Sequence, residues 1–198
     1  MPVFSFEGKS PTVHPSAWIA PTATLVGDVT VEADASIWYG VVLRGDFGPI
    51  IVRAGANVQD NSVLHVTPDL PCVVGDRVTI GHRCVVHACR IGNDVRIGIG
   101  AVVLTGAVVE DGAQVGAGAL VPQGKVVPAG WLVMGVPAKP VRQMGPEEIE
   151  DIKRNAVEYF DLWQRDYRFG PQGAPGSTPR APNSPVSGKP MFPGKPAR

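Results

Sequence analysis

Three of the four histidines, His65, His82 and His87, fall within a 23-residue window, and they are the side chains best suited to metal chemistry. Neutral imidazole nitrogens bind zinc-like cations, provided that they converge on a single ion. Polar residues that orient ligands or move protons stand shortly before them: Arg44, Asp46, Gln59 and Asp60. Whether these groups meet depends on the element that carries them.

That element has a period of six. Aliphatic residues occupy Ile19, Leu25, Val31, Ile37 and Leu43, then Val52, Val58 and Leu64, then Val74, Ile80 and Val86. They run on from Ile91 through Ile97, Val103, Val109, Val115, Val121 and Val127 to Val133. Six is neither the 3.6 of a helix nor the alternation of an ordinary strand. It fits short strands that each form one face of a three-sided coil, separated by tight turns, with the aliphatic residues stacked inside. The frame breaks three times: the step is nine from Leu43 to Val52, ten from Leu64 to Val74, and five from Val86 to Ile91. These breaks bracket the histidines.

The frame predicts geometry. His65 and His87 are both second in their hexads, three hexads apart, so they stack on one corner at the roughly 4.8 Å spacing of neighbouring strands. His82 is third in its hexad and sits on an adjacent face. It does not easily complete the same site within one chain; a neighbouring copy could supply it, which three-fold symmetry does naturally with three identical interfaces. Arg44 falls on the corner of His65, with Asp46 beside it in the first break. Gln59 lies beside Asp60, and Asp60 stacks on His82. Cys84 and Cys89 miss the ligand corner and are expected in the core or in turns.

Lys+Arg and Asp+Glu balance at 18 each, which gives no electrostatic reason to expect nucleic acid or an anionic membrane as partner. No apolar run approaches the roughly 20 residues of a membrane span, and the first residues lack signal-peptide character. The expectation is a cytoplasmic protein, which Cys72, Cys84 and Cys89 fit, being too few and scattered for a disulfide framework. Residues 146–168 read as a helix, with Pro146 in its first turn and an apolar stripe of Ile149, Ile152, Ala156, Tyr159, Phe160 and Trp163. The expected organisation is an all-β solenoid over 1–144, a C-terminal α-helix over 145–168 packed on it, and a disordered Pro/Gly-rich tail over 169–198.

RGD at 44–46, NVQDNSVLH at 57–65 and GHRCVVH at 81–87 resemble the signature of the gamma-class carbonic anhydrases. The resemblance spans roughly residues 10–168 and implies a left-handed parallel β-helix of hexapeptide repeats, assembled as a homotrimer with a metal site at each interface. It implies that His65 and His87 of one subunit and His82 of the next bind Zn2+, with Fe2+ or Co2+ as alternatives. It gives Gln59 a place near metal-bound water, Arg44 and Asp46 that of an interfacial pair, and Asp60 that of the adjacent carboxylate. The implied activity is the lyase reaction, hydration of carbon dioxide to bicarbonate by a metal-bound hydroxide. Phe47 after Asp46 and the short TPDLP break carry no glutamate, so slow proton release is expected. GVPAKPVR at 135–142 also occurs in hexapeptide acyltransferases. Two further functions therefore stand beside the first: acyl transfer or hydrolysis on acyl-CoA, and a non-catalytic trimeric assembly role.

Overall fold

The computed structural model describes residues 2–167, so the tail expected at 169–198 lies outside the described residues. The hexads form a left-handed parallel β-helix. One face stacks seven parallel strands, Trp18–Ile19, Ser36–Ile37, Asn57–Val58, Thr79–Ile80, Arg96–Ile97, Gln114–Val115 and Trp131–Met134, one for each coil. The stack ends where Lys139–Gln143 turns back antiparallel on Trp131–Met134, a closing strand the hexad frame did not foresee.

The pairing follows the predicted period. Ile80 aligns with Val58 on one side and Ile97 on the other, and Val86 aligns with Leu64 and Val103. These first-position residues are all fully buried and form one apolar column. The fifth position is also buried and holds small residues: Ala35, Ala56, Ser62, Cys84 and Ala101. Cys72, Cys84 and Cys89 are free, buried thiols, which for Cys84 and Cys89 is the core placement expected.

Glycine does two separate things here. The fourth position of the hexad turns in the left-handed region, with φ +69 at Gly100, and there Gly escapes the Cβ penalty. Asn61, Arg83 and Asp94 adopt the same φ without being glycine. At the second position the reason is space, since a Cβ on Gly98 would lie 2.5 Å from the amide nitrogen of Ala117 in the next coil.

The first frame break does not leave the sheet. Its residues stay within one long strand, Val42–Val52, which pairs with Thr24–Val31 and slips register opposite Gly27 and Val29. The second break, at 66–71, is a true loop. The helix runs Pro146–Leu162, and a wider π turn follows over Trp163–Tyr167. Gly145 N–H donates to the Glu148 carboxylate at 3.0 Å, while Ile152, Ala156 and Trp163 are buried against the coil. Trp18, Trp38, Tyr159 and Tyr167 interlock edge to face, and Trp18 Nε1 donates to the Tyr167 carbonyl at 3.0 Å. No described helix is long and apolar enough to cross a membrane.

Truncating the column should cost far more than trimming the outer surface. Ile80→Ala is expected to destabilise by about 2–5 kcal/mol, and Val126→Ala, at a position 56% exposed, by no more than ~0.5 kcal/mol. Urea denaturation midpoints of the two variants compare them directly, and equal losses would contradict the inward assignment of the first hexad position.

Candidate functional site

The sheet places His65 and His87 as the frame required. His65 pairs in register with His87, and Arg44 with His65, so three second-position side chains emerge in a row from successive coils. His65 Nδ1 lies 3.1 Å from His87 Nε2. The bulged strand brings Asp46 back over this row, where its carboxylate bonds both Arg44 Nη1 and His65 Nε2, the latter at 3.0 Å. Asp46 and His65 are largely covered, with side chains 12% and 15% exposed.

Burial works against ionisation of Asp46. The hydrogen bonds from Arg44 and His65 outweigh it and hold the carboxyl below its usual range. An ionised carboxylate only accepts, so His65 Nε2 carries the proton and Nδ1 turns its lone pair toward His87. His87 is pushed toward its neutral form by burial first, then by the neighbouring His65 and Arg44.

His82 stands on another face. Its Nδ1 donates to Asp60 Oδ2 at 2.9 Å, which leaves Nε2 bare and pointing away from the carboxylate. Gln59, only 5% exposed, lies on this side and not with the His65–His87 pair. Gln59 Nε2 donates to Asn57 Oδ1 at 3.1 Å, and its side chain also meets Tyr159 of the helix. Asn57 in turn donates to Thr79 Oγ1 at 2.9 Å. Burial, then the charge of Asp60, raises the Tyr159 phenol above its usual range.

The donor set suits a zinc-class ion. Two imidazole nitrogens bound at 2.0–2.1 Å in a tetrahedron lie about 3.3 Å apart, against the 3.1 Å of His65 and His87. Carboxylates behind His65 and His82 are the outer partners that metal-binding histidines usually have. Among the described residues, no three such side chains enclose an ion within one chain.

Sequence reasoning missed Thr105, whose hydroxyl lies 2.9 Å from His87 Nδ1. Its signal was the five-residue step from Val86 to Ile91. That hexad lacks the third-position residue that would stack on Thr105; its left-handed turn falls at Ala88, which accepts from the amide of Gly106 at 2.8 Å. The threonine is left to reach the histidine instead.

A bacterial transferase hexapeptide model of six repeats matches residues 88–123. The carnitine operon protein CaiE of Escherichia coli is 40% identical over 162 residues, covering 82% of this chain and 83% of that one. A hexapeptide transferase family protein of Anaplasma phagocytophilum has a similar structure, with a TM-score of 0.80 and 44% identity over 82% of this chain and 96% of that one. A Bacillus cereus protein provisionally named an acetyltransferase gives 0.81 and 40% over 82% and 94%. The fold and site thus define a hexapeptide-repeat protein with a paired-histidine corner. The chain belongs to the hexapeptide-repeat transferase family, among CaiE-like relatives.

The electrostatics predict a pH dependence of stability. A histidine held neutral binds fewer protons folded than unfolded, so stability rises with pH between its lowered folded value and its ordinary one. Acidification from about 6.5 downward through that folded value should erode wild-type stability, and His87→Gln should flatten the loss. Thermal midpoints measured from pH 7.5 to 5 test this; parallel curves for the two proteins would contradict it.

Proposed function

We propose that this protein is an enzyme acting on acyl thioesters of coenzyme A. Its site joins the His65–His87 pair of one copy to His82 of a neighbouring copy around a zinc-class cation. The observation that carries the site is the 3.1 Å approach of His65 Nδ1 to His87 Nε2, with each ring's other nitrogen already engaged by Asp46 or Thr105. The substrate class rests on the relatives, which bear transferase and acetyltransferase names. They favour acyl chemistry over the carbon dioxide hydration that the signature motifs imply.

A second copy is supported by what flanks the histidines. Val42, Val63, Val85, Val102 and Leu120 align strand to strand as an outward aliphatic row. Val63 and Val85 are 37% and 38% exposed. Closed three-fold packing against this row gives three equivalent sites and offers the part-exposed Asp60 and His82 to the next chain's pair, with Gln59 buried behind them.

His65 and His87 of one copy and His82 of the next would hold the cation, which would supply Lewis acidity toward a thioester carbonyl and a water made acidic enough to act near pH 7. The chain's own groups bind and orient: Asp46 fixes the ring of His65, Asp60 that of His82, and Arg44 keeps Asp46 ionised. In hydrolysis the water oxygen bonds to the acyl carbon and the carbon–sulfur bond breaks. The proton ends on the thiol, leaving a carboxylic acid and free coenzyme A.

A second reading, carbon dioxide hydration, is favoured by the all-imidazole donor set. Proton release would then be slow, since the side chain exposed beside His65 is Phe47, at a ring distance of 6.0 Å, and not a carboxylate.

Zinc-loaded protein should release thiol from a panel running from acetyl-CoA to octanoyl-CoA. His82→Ala and His87→Ala should each lose at least about 100-fold, the upper end of the effect of removing even an outer partner. No thiol release across the panel, with carbon dioxide hydrated above the buffer rate, would move the assignment to the second reading. Neither activity would refute both.

A further inference from the structure

We infer that Thr105 is a positioning residue for the paired histidines: by reversing its hydrogen bond to His87 Nδ1, its hydroxyl decides which nitrogen of His87 is left bare. The inference rests on the cation reading of the site given above.

The proton order follows from the contacts one bond at a time. The Asp46 carboxylate accepts, so His65 Nε2 holds a proton, and His65 Nδ1, in a neutral ring, has none. The 3.1 Å contact between His65 Nδ1 and His87 Nε2 is then a hydrogen bond only if His87 Nε2 carries the proton. In a neutral His87 ring this leaves Nδ1 bare, so the Thr105 hydroxyl, 2.9 Å away, must donate to it. All protons then run one way, from Thr105 through His87 and His65 to Asp46. In that order the pair offers no free lone pair, since His65 Nδ1 accepts from His87 Nε2–H, and that hydrogen occupies the space where a cation would sit.

Binding a cation between the two rings needs the other tautomer of His87, with the proton on Nδ1 and the lone pair on Nε2. Nδ1–H must then find an acceptor in the place where it had a donor. A hydroxyl meets both demands by rotating about its C–O bond, because it donates one hydrogen and accepts through two lone pairs. A carboxylate would hold the cation-binding tautomer permanently, and a methyl would hold neither. With an apolar group in that place both tautomers lose the threonine, but the one that binds the cation is left with an unpaired N–H donor, the less tolerated orphan, whereas the closed one is left only with an unpaired lone pair and keeps its bond to His65. The equilibrium therefore shifts against the cation. Nothing else in the short hexad takes over, since Ala88 follows His87 directly and is buried.

The test is Zn2+ affinity at pH 7.5, by competition with a chromophoric chelator, for wild type, Thr105→Ser and Thr105→Val. Valine keeps the shape and removes the hydroxyl, while serine keeps the hydroxyl. Thr105→Val should bind zinc about 10–100-fold more weakly, the usual effect of losing an outer partner of a metal-bound histidine. Thr105→Ser should stay within about threefold of wild type, with the metal-free thermal midpoints of all three proteins alike. Wild-type affinity in Thr105→Val would overturn the role of Thr105 and leave the cation reading standing. Equal weakening in both variants, with lowered metal-free midpoints, would reduce Thr105 to a packing residue. A wild type that takes up no zinc would overturn the cation reading and this inference together.

Discussion

Parallel strands stacked coil on coil leave about 4.8 Å between equivalent backbone positions, and each side chain of the solenoid answers to a counterpart directly above or below it. Inside, this turns a six-residue period into an unbroken apolar column. Outside, the same spacing is a demand on chemistry. Like charges in register repel, whereas complementary groups bond with little rearrangement. The solenoid satisfies this repeatedly: Asp60 with His82 at 2.9 Å, Arg77 with Asp94 at 2.7 and 3.0 Å, Asn57 with Thr79 at 2.9 Å. The His65–His87 pair is a member of the same series. What distinguishes it is that neither partner carries an obligatory charge and both present a basic ring nitrogen, which an amide and a hydroxyl do not, so the facing nitrogens can share a proton or a cation.

The departures from the period are where this pairing acquires its surroundings. A regular coil cannot fold a carboxylate back over its own strand. The three extra residues of the first break allow that, and Asp46 reaches both Arg44 and His65. The second break lies close against the first, since a Cβ on Gly48 would come 3.2 Å from the carbonyl oxygen of Thr67. The shortened hexad works by removal, taking away the residue that would separate Thr105 from His87. Loops carried on a rigid repeat are where repeat proteins commonly place function.

The C-terminal helix contributes from the opposite side. Tyr159 reaches Gln59, and Asn155 Oδ1 lies 3.3 Å from Thr79 Oγ1, so the polar row behind His82 is held from the helix as well as from the coil. Tyr167 belongs instead to the aromatic cluster with Trp18 and Trp38, which fastens the end of the helix to the first coils.

The period, the inward column, the helix with its proline start, and the register that sets His65 on His87 and Asp60 on His82 were all legible from residue spacing. These are properties of spacing along a repeat, and a repeat makes long-range contacts predictable from local counting. Tertiary structure decided what counting cannot reach. The antiparallel strand Lys139–Gln143 caps the stack with residues that follow no hexad. The path of Asp46 depends on how a bulged strand bends, and the place of Gln59 behind His82 depends on a helix docking there. The contact of Thr105 with His87 arises from an absent residue. It joins positions whose hexad numbers differ, and only the folded backbone shows that a one-residue deletion brings a hydroxyl under an imidazole.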